Sequence, residues 1–166
     1  SLNQLLDTWL NEDIGRGDLT QSAIKNHIAN ASWISKQNGI FCGGELVKYI
    51  YHRLDRSIDV ILRKAEGEAV IAGERIMDLQ GPVASLLAGE RTTLNLAMHL
   101  SGIATETKRL VSALEGTAVK FTDTRKTTPG LRQLEKINEI ALINGFEQEE
   151  LIEMPSNNLS VVYRGN

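Results

Sequence analysis

The stretch Ala31–Pro82, ASWISKQNGIFCGGELVKYIYHRLDRSIDVILRKAEGEAVIAGERIMDLQGP, decides the architecture. Four short runs within it, Ala31–Ser35, Ile58–Leu62, Ala69–Ala72 and Arg75–Leu79, are separated by Gly39, Gly43-Gly44, Gly67, Gly73 and Gly81-Pro82. Glycine at that density, between runs too short for helices, predicts strands joined by tight turns. One helix interrupts them, over about Gly44 to Asp55, because Leu46, Val47, Ile50 and Leu54 share a face at helical spacing. The stretch therefore predicts an α+β layer, a sheet with helices against it.

On the N-terminal side, Leu2, Leu5, Leu6, Trp9 and Leu10 recur at helical spacing and predict an amphipathic helix that Gly15 and Gly17 end. Asp18 is placed to cap a second short helix before Leu19-Thr20. On the C-terminal side, Ala88 to Leu114 is helical, with Leu94, Ala97, Met98, Leu110 and Leu114 at helical intervals. Ser101-Gly102 is expected to divide it in two, since glycine costs about 1 kcal/mol inside a helix. Ala118–Thr122 is a short β-prone run that ends in Asp123-Thr124-Arg125-Lys126. A strand ending in a polar loop after a helix is how an α/β barrel presents ligand groups. Farther on, Ile137, Ile140, Ala141 and Phe146–Met154 suggest one or two helices, and Leu159–Tyr163 a strand.

Composition narrows the function classes. The 166 residues, 42% hydrophobic and 23% charged, suit one ordinary domain, or a small one and part of another. No apolar run approaches the roughly 18 residues of a membrane helix, and Ser1–Leu10 lacks the pattern of a signal peptide, so the cytoplasm is the expected compartment. A single cysteine, Cys42, excludes an internal disulfide framework and a multi-cysteine metal site. A net charge of -3 with 5% aromatics argues against a general nucleic-acid binder.

Three segments carry candidate chemistry. Asp123-Thr-Arg-Lys-Thr-Thr-Pro-Gly-Leu-Arg132 sets a guanidinium beside an ammonium, then two hydroxyls and a Pro-Gly turn. Arginine's planar fork suits carboxylate or phosphate, and lysine adds a point charge. Gly89-Glu-Arg-Thr-Thr-Leu-Asn95 places Arg91 in an expected first helical turn, where the macrodipole disfavours a cation unless an anion answers it. Glu12-Asp-Ile-Gly-Arg-Gly-Asp-Leu-Thr20 falls short of a calcium loop and reads as a capped turn. Each alone has an ordinary explanation: a solvated basic turn, an ion pair with Glu90, a structural cap. His27, His52 and His99 are scattered without metal-ligand spacing, so each reads as structural or exposed, and Cys42 as an idle thiol.

Together, and with Leu100-Ser-Gly-Ile-Ala-Thr105, these segments in this order resemble quinolinate phosphoribosyltransferase, over about Leu5 to Lys136. The resemblance implies an N-terminal open α/β sandwich followed by the beginning of an incomplete α/β barrel. We place the sandwich and a helical linker at 1–115 and the partial barrel segment at 116–166. The implied reaction is a pentosyl transfer in NAD biosynthesis. Quinolinate and phosphoribosyl pyrophosphate give nicotinate mononucleotide, pyrophosphate and carbon dioxide, with Mg2+ bound alongside the phosphoribosyl pyrophosphate. The family likeness puts Thr124, Arg125 and Lys126 in the substrate pocket and sends Arg91 into the pocket of a partner subunit, so a homodimer with shared sites is expected. It assigns no catalytic residue and no protein metal ligand here. Ile137–Asn166 show none of the family's later motifs, and the residues after Lys120 are too few to close a barrel. The chain is thus expected to be a fragment, a natural truncation or ordered segments written as one string, inactive by itself. The competing readings are a molybdate-transport-associated paralogue and a non-catalytic dimerisation or ligand-binding module.

Overall fold

The computed structural model describes residues 2–15, 27–119 and 125–136. Its elements are α1 (Leu2–Ile14), β1 (Ile28–Ile34), β2 (Gly39–Ile40), α2 (Gly44–Leu54), β3 (Asp59–Leu62), β4 (Ala69–Val70), β5 (Arg75–Pro82) and α3 (Val83–Ala113). An antiparallel sheet runs in the order β1-β5-β3, and β2 pairs with β4 in a second, two-stranded one. Strand alternation decides what the larger sheet buries. In β5, Met77, Leu79 and Gly81 turn inward, while Gln80 faces solvent.

The inward face meets α2, which is the middle of the structure because it is apolar on two sides. Val47 and Tyr51 pack with Ile58, Met77 and Leu79 of the sheet side. Leu46 and Ile50 pack with Leu6 and Leu10 of α1 and Leu96, Leu100 and Ala104 of α3. Full burial of each such leucine or isoleucine stabilises by roughly 1.5–3 kcal/mol. The close crossing of α2 and α3 needs Gly89: a Cβ there would lie 2.6 Å from Tyr51 Cε1. The same tyrosine donates its hydroxyl proton to the Leu86 carbonyl at 3.2 Å. Polar contacts fasten α1 to α2, with Arg53 on Asp7 at 2.8 Å and Tyr49 on Asn3 at 2.6 Å.

Two expectations are corrected. The long helix starts at Val83, not Ala88, and it continues unbroken through Ser101-Gly102. Tertiary packing outweighs the glycine penalty there. Leu100 and Ala104 are buried on either side. Ser101 Oγ also accepts the Cys42 amide at 3.0 Å and donates to the Cys42 carbonyl at 3.1 Å. The β-prone run at Ala118–Thr122 does not begin as a strand, since Ala118 and Val119 belong to none; residues 120–122 lie outside the described residues. The expected capped helix after Asp18 and the elements expected beyond Ile137 also lie outside them. β2 escaped prediction because two residues carry no period. Among the described residues no helix is long and apolar enough to cross a membrane.

Candidate functional site

Residues 125–136 form a turn and a helical start that dock on α3. The Thr128 carbonyl accepts the Leu131 amide at 3.0 Å, with Pro129 second and Gly130 third at φ 85°. This is a type II β-turn, and its third position requires the positive φ that glycine supplies without strain. Leu131 and the buried Leu134 then insert into the core shared by α1, α2 and α3. Arg132 Nε donates to Thr127 Oγ1 at 3.2 Å, closing the other side of the turn. Arg125 and Lys126 are thereby held exposed at its rim. Thr124, the third pocket residue expected of this segment, lies outside the described residues.

Glu135 secures the turn from below. It is only 5% exposed, and both carboxylate oxygens are used. Oε1 lies 2.7 Å from His99 Nε2 on α3, and Oε2 accepts the Thr128 amide at 2.9 Å. Burial pushes the Glu135 carboxyl pKa up, but hydrogen bonds from Thr128 and His99 outweigh it and hold the group below its ordinary range. The residue is therefore a buried carboxylate, and its two partners belong to a helix and to the basic turn.

Arg91 sits elsewhere and for a different reason than its sequence position suggested. It is the ninth residue of α3, more than two turns in, so the first-turn dipole argument does not apply. Its Nη1 lies 3.2 Å from Asp13 Oδ1, not on Glu90. Asp13 belongs to the last turn of α1, which carries no basic residue of its own, so Arg91 answers a carboxylate at the unfavourable end of that dipole. With the arginine 72% exposed, the pair contributes little stability and leaves the guanidinium open to other anions. Along α3, Arg91 and His99 are eight residues apart, roughly 12 Å of helix axis. Arg91 and the His99–Glu135 contact that holds the basic turn thus lie at separate stations on α3.

Cys42 and Glu66 are tied into the core. Burial first, and then the neighbouring Glu66 charge, push the Cys42 thiol up to about 12, so it is no nucleophile. Glu66 accepts the amides of Gly43 at 2.8 Å and Glu45 at 3.1 Å, filling the N-terminus of α2 from within. Burial nevertheless raises its carboxyl pKa. No group of three or more His, Cys, Asp or Glu side chains is arranged for a metal ion among the described residues. Sequence reasoning did not pair His99 with Glu135 or Asp13 with Arg91. Thirty-six positions separate His99 from Glu135, and seventy-eight separate Asp13 from Arg91. No local pattern connects such partners.

The chain matches the family profile of the quinolinate phosphoribosyl transferase N-terminal domain over residues 18–101. It matches that of the C-terminal domain over residues 103–148. The second match extends the likeness past Lys136, where the motifs alone had ended it. A Bacillus subtilis (strain 168) protein named a probable nicotinate-nucleotide pyrophosphorylase (carboxylating) is 47% identical over 136 residues, covering 81% of this chain and 47% of that protein. A Synechocystis protein of the same name is 47% identical over 79% of this chain and 45% of its own length. The solved nicotinate-nucleotide pyrophosphorylase from Francisella tularensis superposes with a TM-score of 0.80 at 34% identity, over 84% of this chain and 50% of that one. The chain spans about half the length of the curated relatives it matches.

Proposed function

The chain belongs to the quinolinate phosphoribosyl transferase family, and from that premise we propose that it is the substrate-capturing half of a carboxylating nicotinate-nucleotide pyrophosphorylase. The observation that carries the reading is the exposed Arg125-Lys126 pair, held by the type II turn and by Glu135 within the C-terminal domain match. Quinolinate bears two adjacent carboxylates, and forked guanidinium donors orient such a group and reduce its internal repulsion. Arg125 holds a carboxylate of quinolinate. Lys126 and Thr124 serve the phosphate-bearing end. Arg91 reaches the site of a second copy in a homodimer, which suits its separate station on α3.

The reaction needs positive charge at two stages. Departure of pyrophosphate leaves an oxocarbenium-like ribose and an anionic leaving group, which cations stabilise. Loss of the 2-carboxylate as carbon dioxide leaves its bonding electron pair on the ring carbon, and neighbouring positive charge stabilises that too. Magnesium accompanies phosphoribosyl pyrophosphate in this proposal. Among the described residues no cluster of His, Cys, Asp or Glu is arranged to hold the ion. The cytoplasm is the proposed compartment. The curated names of the relatives favour the carboxylating reaction over a transport-associated substrate.

On this reading turnover requires the remainder of the C-terminal domain, and a chimera tests this. Joining residues 1–136 to the rest of the Bacillus subtilis relative should release carbon dioxide from quinolinate when phosphoribosyl pyrophosphate and Mg2+ are present. Arg91→Ala and Arg125→Ala should each abolish release. Mixing the two variants should restore about a quarter of wild-type activity, because random exchange makes half the dimers mixed, each with one intact site. An inactive chimera that folds and dimerises would overturn the proposed activity. Confirmed exchange without restored activity would overturn shared sites.

A further inference from the structure

We propose that His99 and Glu135 are positioning residues for the Arg125-Lys126 turn, forming a clasp that sets where its charges stand relative to α3. The role in ligand capture rests on the reading of Arg125-Lys126 as an anion site; the clasp itself does not. Three observations carry it. Glu135 is 5% exposed, and an ionised carboxylate so placed costs several kcal/mol unless it is fully hydrogen-bonded. Adhesion alone does not need it, since Leu131 and Leu134 already anchor the segment in the core and an apolar side chain would add to that. Both oxygens are instead spent on position: one on His99 Nε2 at 2.7 Å, the other on the Thr128 amide at 2.9 Å, two residues beyond Lys126.

The geometry is that of a fixed bridge. α3 is a 31-residue helix locked against two cores, so His99 is a rigid reference point. Glu135 transfers that reference to the turn through Thr128, whose backbone amide and side chain both bond the carboxylate, and the Arg132–Thr127 contact steadies the opposite side. The clasp also crosses the junction between the two domain matches. His99 falls within the N-terminal one and Glu135 within the C-terminal one. A hydrogen bond to a charged acceptor restrains the Thr128 amide by a factor of at least about ten in opening.

Amide hydrogen exchange on the 15N-labelled 166-residue chain tests the bridge without any ligand. Thr128 is the reporter, and the Glu135 amide, bonded to the Leu131 carbonyl at 3.0 Å, is the control for the helical start. We expect Glu135→Ala and His99→Phe to speed Thr128 exchange, about tenfold or more for the first and less for the second. Both should leave the amide at position 135 protected. Glu135→Gln keeps one acceptor and should restore part of the protection. An unprotected Thr128 in the wild type, or equal protection in all variants, overturns the clasp. Simultaneous loss at Thr128 and position 135 overturns it too, because the pair would then be a docking contact only. Titration with quinolinate adds the functional arm. His99→Phe should weaken binding several-fold where wild type binds, and equal affinity overturns the positioning role. If wild type binds no quinolinate, the proposed ligand falls while the Thr128 comparison still decides the clasp.

Discussion

Cys42 shows how a single side chain's surroundings decide its chemistry. It is fully buried, and that burial, with Glu66 close by, raises its thiol pKa to about 12. At pH 8 almost none of it is thiolate, and the reactive sulfur has no path to solvent. A disulfide reagent such as dithionitrobenzoate should therefore label the native chain at least about a hundredfold more slowly than the chain in guanidinium chloride. Comparable rates would show that the core around α2 is open. Cys42 as an idle thiol was legible from the sequence, because no histidine lies near it. The clasp residues were not legible. His99 reads as an isolated histidine and Glu135 as one acid in a charged run, and only the fold puts them 2.7 Å apart. Arg91 was singled out by a dipole argument that does not hold, since it assumed a helix start five residues too late.

At the scale of elements, hydrophobic spacing and glycine punctuation located α1, α2 and four of the strands, because each has a face or a turn that composition marks. Local propensity failed where tertiary packing decides. Ser101-Gly102 looked like a helix break, yet α3 passes through it with Leu100 and Ala104 buried on either side. Gly102 itself has open space where a Cβ would project. Gly102→Ala should therefore stabilise the protein by up to about 1 kcal/mol, raising Tm by a few degrees in calorimetry. If the helix were interrupted there by a left-handed glycine, the same change would lower Tm. The basic turn was only half legible. Pro129-Gly130 announces the turn, but the docking of Leu131 and Leu134 depends on a groove built from α1, α2 and α3.

For the whole molecule, the carboxylates set a pH limit. Hydrogen bonds and ion pairs hold Asp55, Glu68, Glu74, Asp78 and Glu106 below their ordinary pKa values, and Thr128 and His99 do so for Glu135 against burial. A lowered folded pKa contributes stability above the unfolded value, about 4, and loses it as pH falls through the folded value. Glu66 is raised by burial and opposes this in part. Tm should stay nearly flat from about pH 8 to 5 and fall steadily below about pH 4; a chain most stable at pH 3 would contradict the assignment. The order of four motifs across the chain made the family legible at this scale. The chain spans about half the length of the relatives it matches. Capture of a dicarboxylate by the Arg125-Lys126 turn can be read by titration calorimetry with quinolinate on the wild type and Arg125→Ala. We expect binding by the wild type and a loss of about tenfold or more in the variant, since each charge-assisted bond contributes roughly 1.5–3 kcal/mol. Equal affinity in the two proteins, or no binding by the wild type, would contradict it.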